Sequence, residues 1–216
     1  MKKKLKKKIE LYKSIGIILN MILILFGLLG FIESVKLFGK FDLKYYTQDS
    51  NLLAIFVEML FLYFIIVEEK APKWLAILKY IATLSLSITF VVVLLILIPI
   101  NGFDWKFMLF GESTLYYHTL CPIIAIISFI FFENHSFNKK DITIAMSFTF
   151  CYAIVAIVLN LLGRLVGPYP FLEILNNPWY ETIMWLFIII GGAFGLSYLL
   201  FIIKNKYNKY IQENWK

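Results

Sequence analysis

From Trp74 to Ile100 the chain reads WLAILKYIATLSLSITFVVVLLILIPI, an apolar run interrupted by a single charge, Lys79. About 20 apolar residues in helical form cross a hydrocarbon core about 30 Å thick, so this stretch is long enough to cross with some tilt. Lipid supplies no water to satisfy an open backbone, which makes the run a helix. Working outward, five further runs have the same character: approximately Ser14 to Val35, Ser50 to Val67, Tyr117 to Phe132, Ile142 to Gly163 and Tyr180 to Ile203. The expected fold is all-α, a polytopic bundle of six transmembrane helices. Residues 1–13 form a basic cytoplasmic arm, residues 14–203 the membrane domain and residues 204–216 a cytoplasmic tail.

Composition points the same way. The 216 residues are 61% hydrophobic and 16% charged, against about 45–50% and about 25% in soluble domains. A soluble protein this apolar would carry its surplus as aggregation-prone surface patches. Intrinsic disorder, a secreted disulfide scaffold and a soluble nucleic-acid binder are excluded together. The net charge of +7 is a matter of placement, because seven of the 21 basic residues fall within MKKKLKKKIELYK at the start. Such a cluster beside a span attracts anionic headgroups, at about 1 kcal/mol per Lys or Arg near the surface.

With the N-terminus inside, the inner segments hold 16 Lys or Arg and the outer segments 5, namely Lys36, Lys40, Lys44, Lys106 and Arg164. Excess positive charge marks the cytoplasmic side, so the expected topology is N-in, C-in. The first run is too long for the core of a signal peptide and no small-residue cleavage site follows Phe31, so it reads as a retained helix. A composition rich in Lys, Ile and Asn places the chain in the cell membrane of a bacterium, multi-pass. The cysteines, Cys121 and Cys151, read as buried free thiols at different depths. Asn134-His135-Ser136 has the form of a glycosylation sequon but falls on the inner side.

Polar residues at membrane depth are costly unless paired or functional. They gather at the outer ends of the spans: Glu33; Thr47, Asp49, Ser50 and Asn51; His118 after Tyr116 and Tyr117; and Asn160 with Arg164, four residues apart and so on one helical face. The inner half offers Asn20 and scattered hydroxyls, with Glu58 near mid-membrane. Each has a bland alternative. Thr47, Asp49 or Ser50 can cap the second span, His118 can sit at headgroup level, and Asn160 and Arg164 can bond between helices or snorkel. Glu58 needs a partner, a proton or a polar cavity. Gly191 and Gly195 form a G-x-x-x-G pattern of close helix contact, a face for a scaffold role or a homo-oligomer. Trp74, Trp105, Trp179 and Tyr180 read as an interfacial aromatic belt.

Several chemistries are absent from the inventory. The two histidines, His118 and His135, fall on opposite sides, and no His, Cys and carboxylate group has metal-site spacing. There is no phosphate-binding glycine loop, and Gly111-Glu112-Ser113-Thr114-Leu115 lacks the closing glycine of a nucleophile elbow. A hydroxyl and an imidazole on the same face remain: Thr47 as nucleophile with His118 as base meets the minimum for acyl transfer.

Phe41-Asp42-Leu43-Lys44-Tyr45-Tyr46-Thr47-Gln48-Asp49-Ser50-Asn51-Leu52-Leu53 resembles the Y-[FL]-T-x-x-[SD]-N-L-L segment of the androgen-induced and androgen-dependent membrane threonine hydrolases and their bacterial relatives. Tyr117-His118-Thr119-Leu120-Cys121-Pro122-Ile123-Ile124 is similar to that family's helix opening with a histidine followed by a proline. Gly167-Pro168-Tyr169-Pro170-Phe171-Leu172 is similar to its loop before the last helix. The resemblance implies hydrolysis of fatty acid esters of hydroxy fatty acids, with Thr47 as nucleophile and His118 as its partner base. Gln48 and Asp49 make the threonine's surroundings more polar than in the animal motif.

The expectation is an integral-membrane lipid ester hydrolase needing no metal or organic cofactor and acting on a membrane lipid or fatty-acid ester. In it Asn51, Asn160 or Arg164 would bind substrate and stabilise the oxyanion. The alternative is a lipid or small-molecule binder or proton-coupled transporter that uses the same outer cavity, with Glu58 carrying the proton.

Overall fold

A computed structural model describes residues 2–40, 42–68 and 70–214. Phe41 of the threonine segment, and Met1, Trp215 and Lys216 of the two basic ends, lie outside them. Six helices are long and apolar enough to cross a membrane, and the chain is a multi-pass membrane protein. In order they are α1 (Lys2–Phe38), α2 (Tyr46–Val67), α3 (Lys73–Ile100), α5 (Glu112–Phe132), α6 (Lys139–Leu161) and α7 (Trp179–Asn214), with a short helix α4 (Trp105–Phe110) between α3 and α5.

Helix α3 is the centre of the bundle: 67% of its most apolar stretch is buried, against 17% for α7. Its Tyr80 ring stacks on Phe129 of α5 at 5.0 Å and meets Phe137 at 5.1 Å. The Tyr80 hydroxyl donates to the Ser197 carbonyl of α7 at 2.6 Å, and the Ser197 hydroxyl donates on to the Ile142 carbonyl of α6 at 2.9 Å. A buried polar atom unpaired in such surroundings costs a few kcal/mol, so this chain of bonds fixes α3, α6 and α7 in register. Leu25, Phe56, Leu95, Ile154 and Phe187 are exposed, as expected of side chains facing lipid.

The outer helices differ from the sequence expectation at their ends. Helix α1 begins at Lys2 and α7 runs unbroken to Asn214, so the arm and the tail continue helices rather than forming loose segments. Lysine is a good helix former, and the extensions pack: Tyr12 meets Phe132 at 4.8 Å and Tyr207 meets Phe131 at 5.0 Å. Both termini therefore lie at one end of the bundle, with the end of α5. Cys121 is buried as expected, but Cys151 is exposed on the outside of α6; both are free.

The half of the bundle nearest the termini is more polar than the sequence reading allows. Lys79, counted there among the inner-side charges although it falls within the Trp74 to Ile100 run, is buried inside α3. Its ammonium donates to Glu58 at 2.9 Å and to Asn20 at 2.9 Å, and it lies 4.2 Å from the Phe61 ring. Ser128 donates to the same Asn20 oxygen. Glu58 is thus satisfied by an ion pair. Lys204 is also buried, its ammonium held by the Ile130 and Glu133 carbonyls. Taking Lys79 and Lys204 out of the charge count leaves 14 against 5, so the orientation bias survives. Gly191 and Gly195 meet no atom within 4 Å of an added Cβ, so at these glycines there is no close helix contact among the described residues.

Candidate active site

Two prolines shape the end of the bundle opposite the termini. Pro122 has no N–H to offer the His118 carbonyl, and its ring crowds that oxygen. The turn ahead of it widens to a π-helix over Leu115–Leu120, in which the Cys121 N–H reaches Tyr116 instead. Pro99 does the same in α3, where Val93–Leu97 is π-helical and the Ile98 N–H bonds Val93. Single π-turns inside α-helices re-aim side chains and are frequent at functional sites. Here they place Leu97 from α3 and His118 from α5 on the wall of one cleft.

That cleft holds about 370 Å³ and is lined by both Thr47 and His118, the two residues singled out as nucleophile and base. No hydrogen bond joins their side chains in this state. His118 is buried at 9% exposure, and its Nδ1 donates to the Met108 carbonyl of α4 at 2.8 Å. A carbonyl only accepts, so Nδ1 carries the ring's proton and Nε2 keeps a lone pair when the ring is neutral. The Asp104 carboxylate caps α4 by accepting from the Phe107 N–H at 3.0 Å, and the Thr119 hydroxyl donates to the Leu109 carbonyl at 2.9 Å. The short helix is thereby tied over the histidine.

Thr47 does not cap its helix. Helix α2 begins one residue earlier, at Tyr46, with Tyr45 as an extended N-cap that makes no side-chain cap, so Thr47, Asp49 and Ser50 all fall inside the helix. The Thr47 carbonyl accepts from Ser50 Oγ at 3.1 Å and Asn51 Nδ2 at 2.8 Å, which locks that turn. Its backbone N–H donates to the phenol oxygen of Tyr169 at 3.4 Å. Tyr46 anchors the same turn to α6, its hydroxyl 2.8 Å from Thr149 and its ring edge-on to Tyr152 at 5.0 Å.

The loop before α7 delivers Tyr169. Helix α6 ends in a Schellman motif, with Gly163 at φ 66°, the Gly163 N–H on Asn160 and the Arg164 N–H on Leu159, both at 2.9 Å. Arg164 is therefore off the helix and exposed, not on one face with Asn160. Gly167 passes so close to Leu172 that an added Cβ would lie 2.4 Å from its backbone. This tight crossing tucks Tyr169 and Phe171 inward, their rings parallel at 5.1 Å, with Tyr169 edge-on to Tyr45 at 6.2 Å. Burial pushes the Tyr169 phenol up to about 12, so it is a protonated donor at neutral pH.

The three donors expected from the sequence are used elsewhere. Asn51 Nδ2 is committed to the Thr47 and Tyr117 carbonyls. Asn160 bonds the Leu165 carbonyl and the Leu175 N–H, organising the loop. Arg164 is on the surface. None of the three lines the cleft. The residues the sequence reading passed over are Tyr169 and Gln48. Gln48 is buried, spends its oxygen on the Asp42 N–H at 2.9 Å and lines the cleft, and its amide NH₂ has no acceptor among the described residues. Both stand in the two quoted segments, but nothing in their spacing reveals that the segments meet.

Behind Thr47 lies a second space. An apolar pocket of about 60 Å³ is bounded by Ile88 and Val92 of α3, Tyr152 of α6, and Trp185 and Ile189 of α7. Thr47, Leu97 and Tyr169 line both this pocket and the cleft. His118 lines the cleft alone. Compared with known protein families, curated proteins and solved structures, the chain matches none. The resemblance in three segments rests on those residues by themselves.

Proposed function

We propose that the protein is an integral-membrane hydrolase of a lipid ester, with Thr47 as nucleophile, His118 as base and Tyr169 as the oxyanion donor. The observation that carries this reading is the shared cleft: residues 71 positions apart, on different helices, line one cavity whose histidine has its Nε2 lone pair free. Catalytic hydrogen bonds are often long or unformed without substrate and tighten on binding, so the missing Thr47–His118 bond is compatible with it.

Thr47 Oγ1 attacks the ester carbonyl carbon and passes its proton to His118 Nε2. The carbonyl oxygen takes the negative charge and accepts from the Tyr169 hydroxyl. The bond to the alcohol oxygen breaks as His118 returns the proton to it. Water then attacks the acyl-threonine, loses a proton to His118, and the carboxylic acid leaves as Thr47 regains its proton. Met108, by holding Nδ1, keeps the imidazole in the one tautomer that serves both half-reactions. With the lysine-rich termini in the cytoplasm, the cleft opens on the opposite face of a bacterial cell membrane.

Hydrolysis of a chromogenic fatty-acyl ester by detergent-purified protein tests the reading. Thr47→Ala and His118→Ala should each abolish turnover while the variants stay folded. Full turnover by either would exclude the scheme. The transport alternative gains nothing from the structure, because Glu58 is bound to Lys79 and is not part of the cleft wall.

A further inference from the structure

The apolar pocket behind Thr47 shares a wall with the outside of the bundle. Leu186 and Ile190 of α7 form one of its walls and also line a groove of about 470 Å³ on the outside of the bundle. That groove runs between α6 and α7, past Phe150, Phe187 and Gly191. At Gly191 an added Cβ would meet nothing within 4 Å, so the groove floor is open there. Both side chains of the shared wall are half-buried and apolar. Two hydrophobic side chains on one helix face therefore stand between the pocket and the groove.

The two ends of the path differ in chemistry. On the cleft side Gln48 offers an unused amide and His118 a proton for a leaving alcohol. On the pocket side the walls are mainly aliphatic and aromatic, from Ile88 to Trp185, with Thr89 and Thr149 the hydroxyls besides Thr47. In the hydrolase scheme His118 returns a proton to the alcohol oxygen, and His118 lines the cleft and not the pocket, so the alcohol half belongs in the cleft and the acyl half in the pocket. A water-sized group needs roughly 10–15 Å³ of such volume, so the pocket of about 60 Å³ takes about four to six carbons as it stands. A longer chain has to continue past Leu186 and Ile190.

We propose that the space between α6 and α7 is an acyl-chain site, which a membrane lipid's fatty-acyl chain enters sideways from the bilayer between Leu186 and Ile190, with its ester carbonyl at Thr47 and its alcohol in the cleft. This rests on the hydrolase reading above and adds to it the class of the acyl group, its direction and its route. An unbranched long-chain acyl ester threads the wall. A short-chain ester needs only the pocket and does not have to pass the wall.

The experiment compares a butanoyl and a hexadecanoyl ester of the same chromogenic alcohol, with purified wild type, Leu186→Trp, Leu186→Ala and Thr47→Ala in detergent micelles. Closing the wall with tryptophan should lower kcat/KM for the hexadecanoyl ester relative to the butanoyl ester by about tenfold or more, the scale set by misfit in an apolar pocket. Opening it with alanine should raise the hexadecanoyl rate, a gain that misfolding does not produce. If wild type cleaves the esters in a Thr47-dependent way but neither wall variant changes the ratio between them, the acyl route is overturned and the hydrolase reading stands. If folded wild type cleaves neither ester, the hydrolase reading itself has failed.

Discussion

Replacing Lys79 with methionine should be among the most damaging single changes in the protein, and adding a second change should largely repair it. Lys79 and Glu58 are 1% and 2% exposed and 2.9 Å apart, and the ammonium also holds the Asn20 oxygen. Lys79→Met leaves a buried carboxylate with no cation and deprives Asn20 of its charged donor. Removing one partner of such a pair costs about 3–5 kcal/mol, whereas neutral side chains of similar volume at both positions are often neutral or stabilising. Glu58→Gln alone should fall at the lower end of that range, because the amide oxygen still accepts from Lys79. The double variant Glu58→Gln, Lys79→Met should unfold later than either single. Thermal unfolding in one detergent, followed by circular dichroism, reads all four proteins. The double variant should also keep ester turnover, since the pair stands apart from the cleft. Costs that simply add in the double variant would refute the claim that the two residues stabilise the bundle as one neutral unit.

Two further outcomes follow from the site and the loop beside α5. Tyr169→Phe should lower kcat by about 10²–10³-fold with little change in KM, as removal of one oxyanion donor does elsewhere; steady-state kinetics with a long-chain ester checks it, and an unchanged kcat would remove Tyr169 from the mechanism. Glu133 lies between α5 and α6. Burial alone would raise its carboxyl, but hydrogen bonds from His135, with Lys79 and Lys204 nearby, hold it below its ordinary value of 4.5. A depressed carboxylate stabilises the fold above that value and loses its contribution as pH falls through it. The stability gap between wild type and Glu133→Gln should therefore be full at neutral pH and close below pH 4.5, and a gap that widens on acidification would reverse the assignment.

The fold was readable because its signal is local. Twenty-residue apolar runs and the lysine bias need no knowledge of what touches what, and all six spans are present. Their ends were less readable, since a lysine-rich helix looks the same in sequence whether it frays or packs, and contacts such as Tyr12 on Phe132, Tyr207 on Phe131 and Asn208 on the His135 carbonyl distinguish the cases. Lys79 was misplaced for a similar reason. Six residues into a span it resembles an interfacial charge, and its burial depends on Glu58, 21 positions earlier. At the site, Thr47 and His118 stood out as a hydroxyl and an imidazole on the same face, in two segments that carry the family resemblance. Asn160 and Arg164 were drawn together by helical spacing, which Gly163 breaks by turning the chain at φ 66°. Tyr169 was hidden among 13 tyrosines, most of which read as interfacial, and its role depends on a loop crossing at Gly167 that no periodicity announces.

Covalent labelling of Thr47 tests the central claim most directly. Purified protein in detergent is treated with a fluorophosphonate and the adduct is mapped by peptide mass spectrometry. The account predicts an adduct on Thr47 in wild type, no adduct there in Thr47→Ala, and labelling slowed to background in His118→Ala. Folded wild type that takes no label, or labelling that survives Thr47→Ala unchanged, would contradict it.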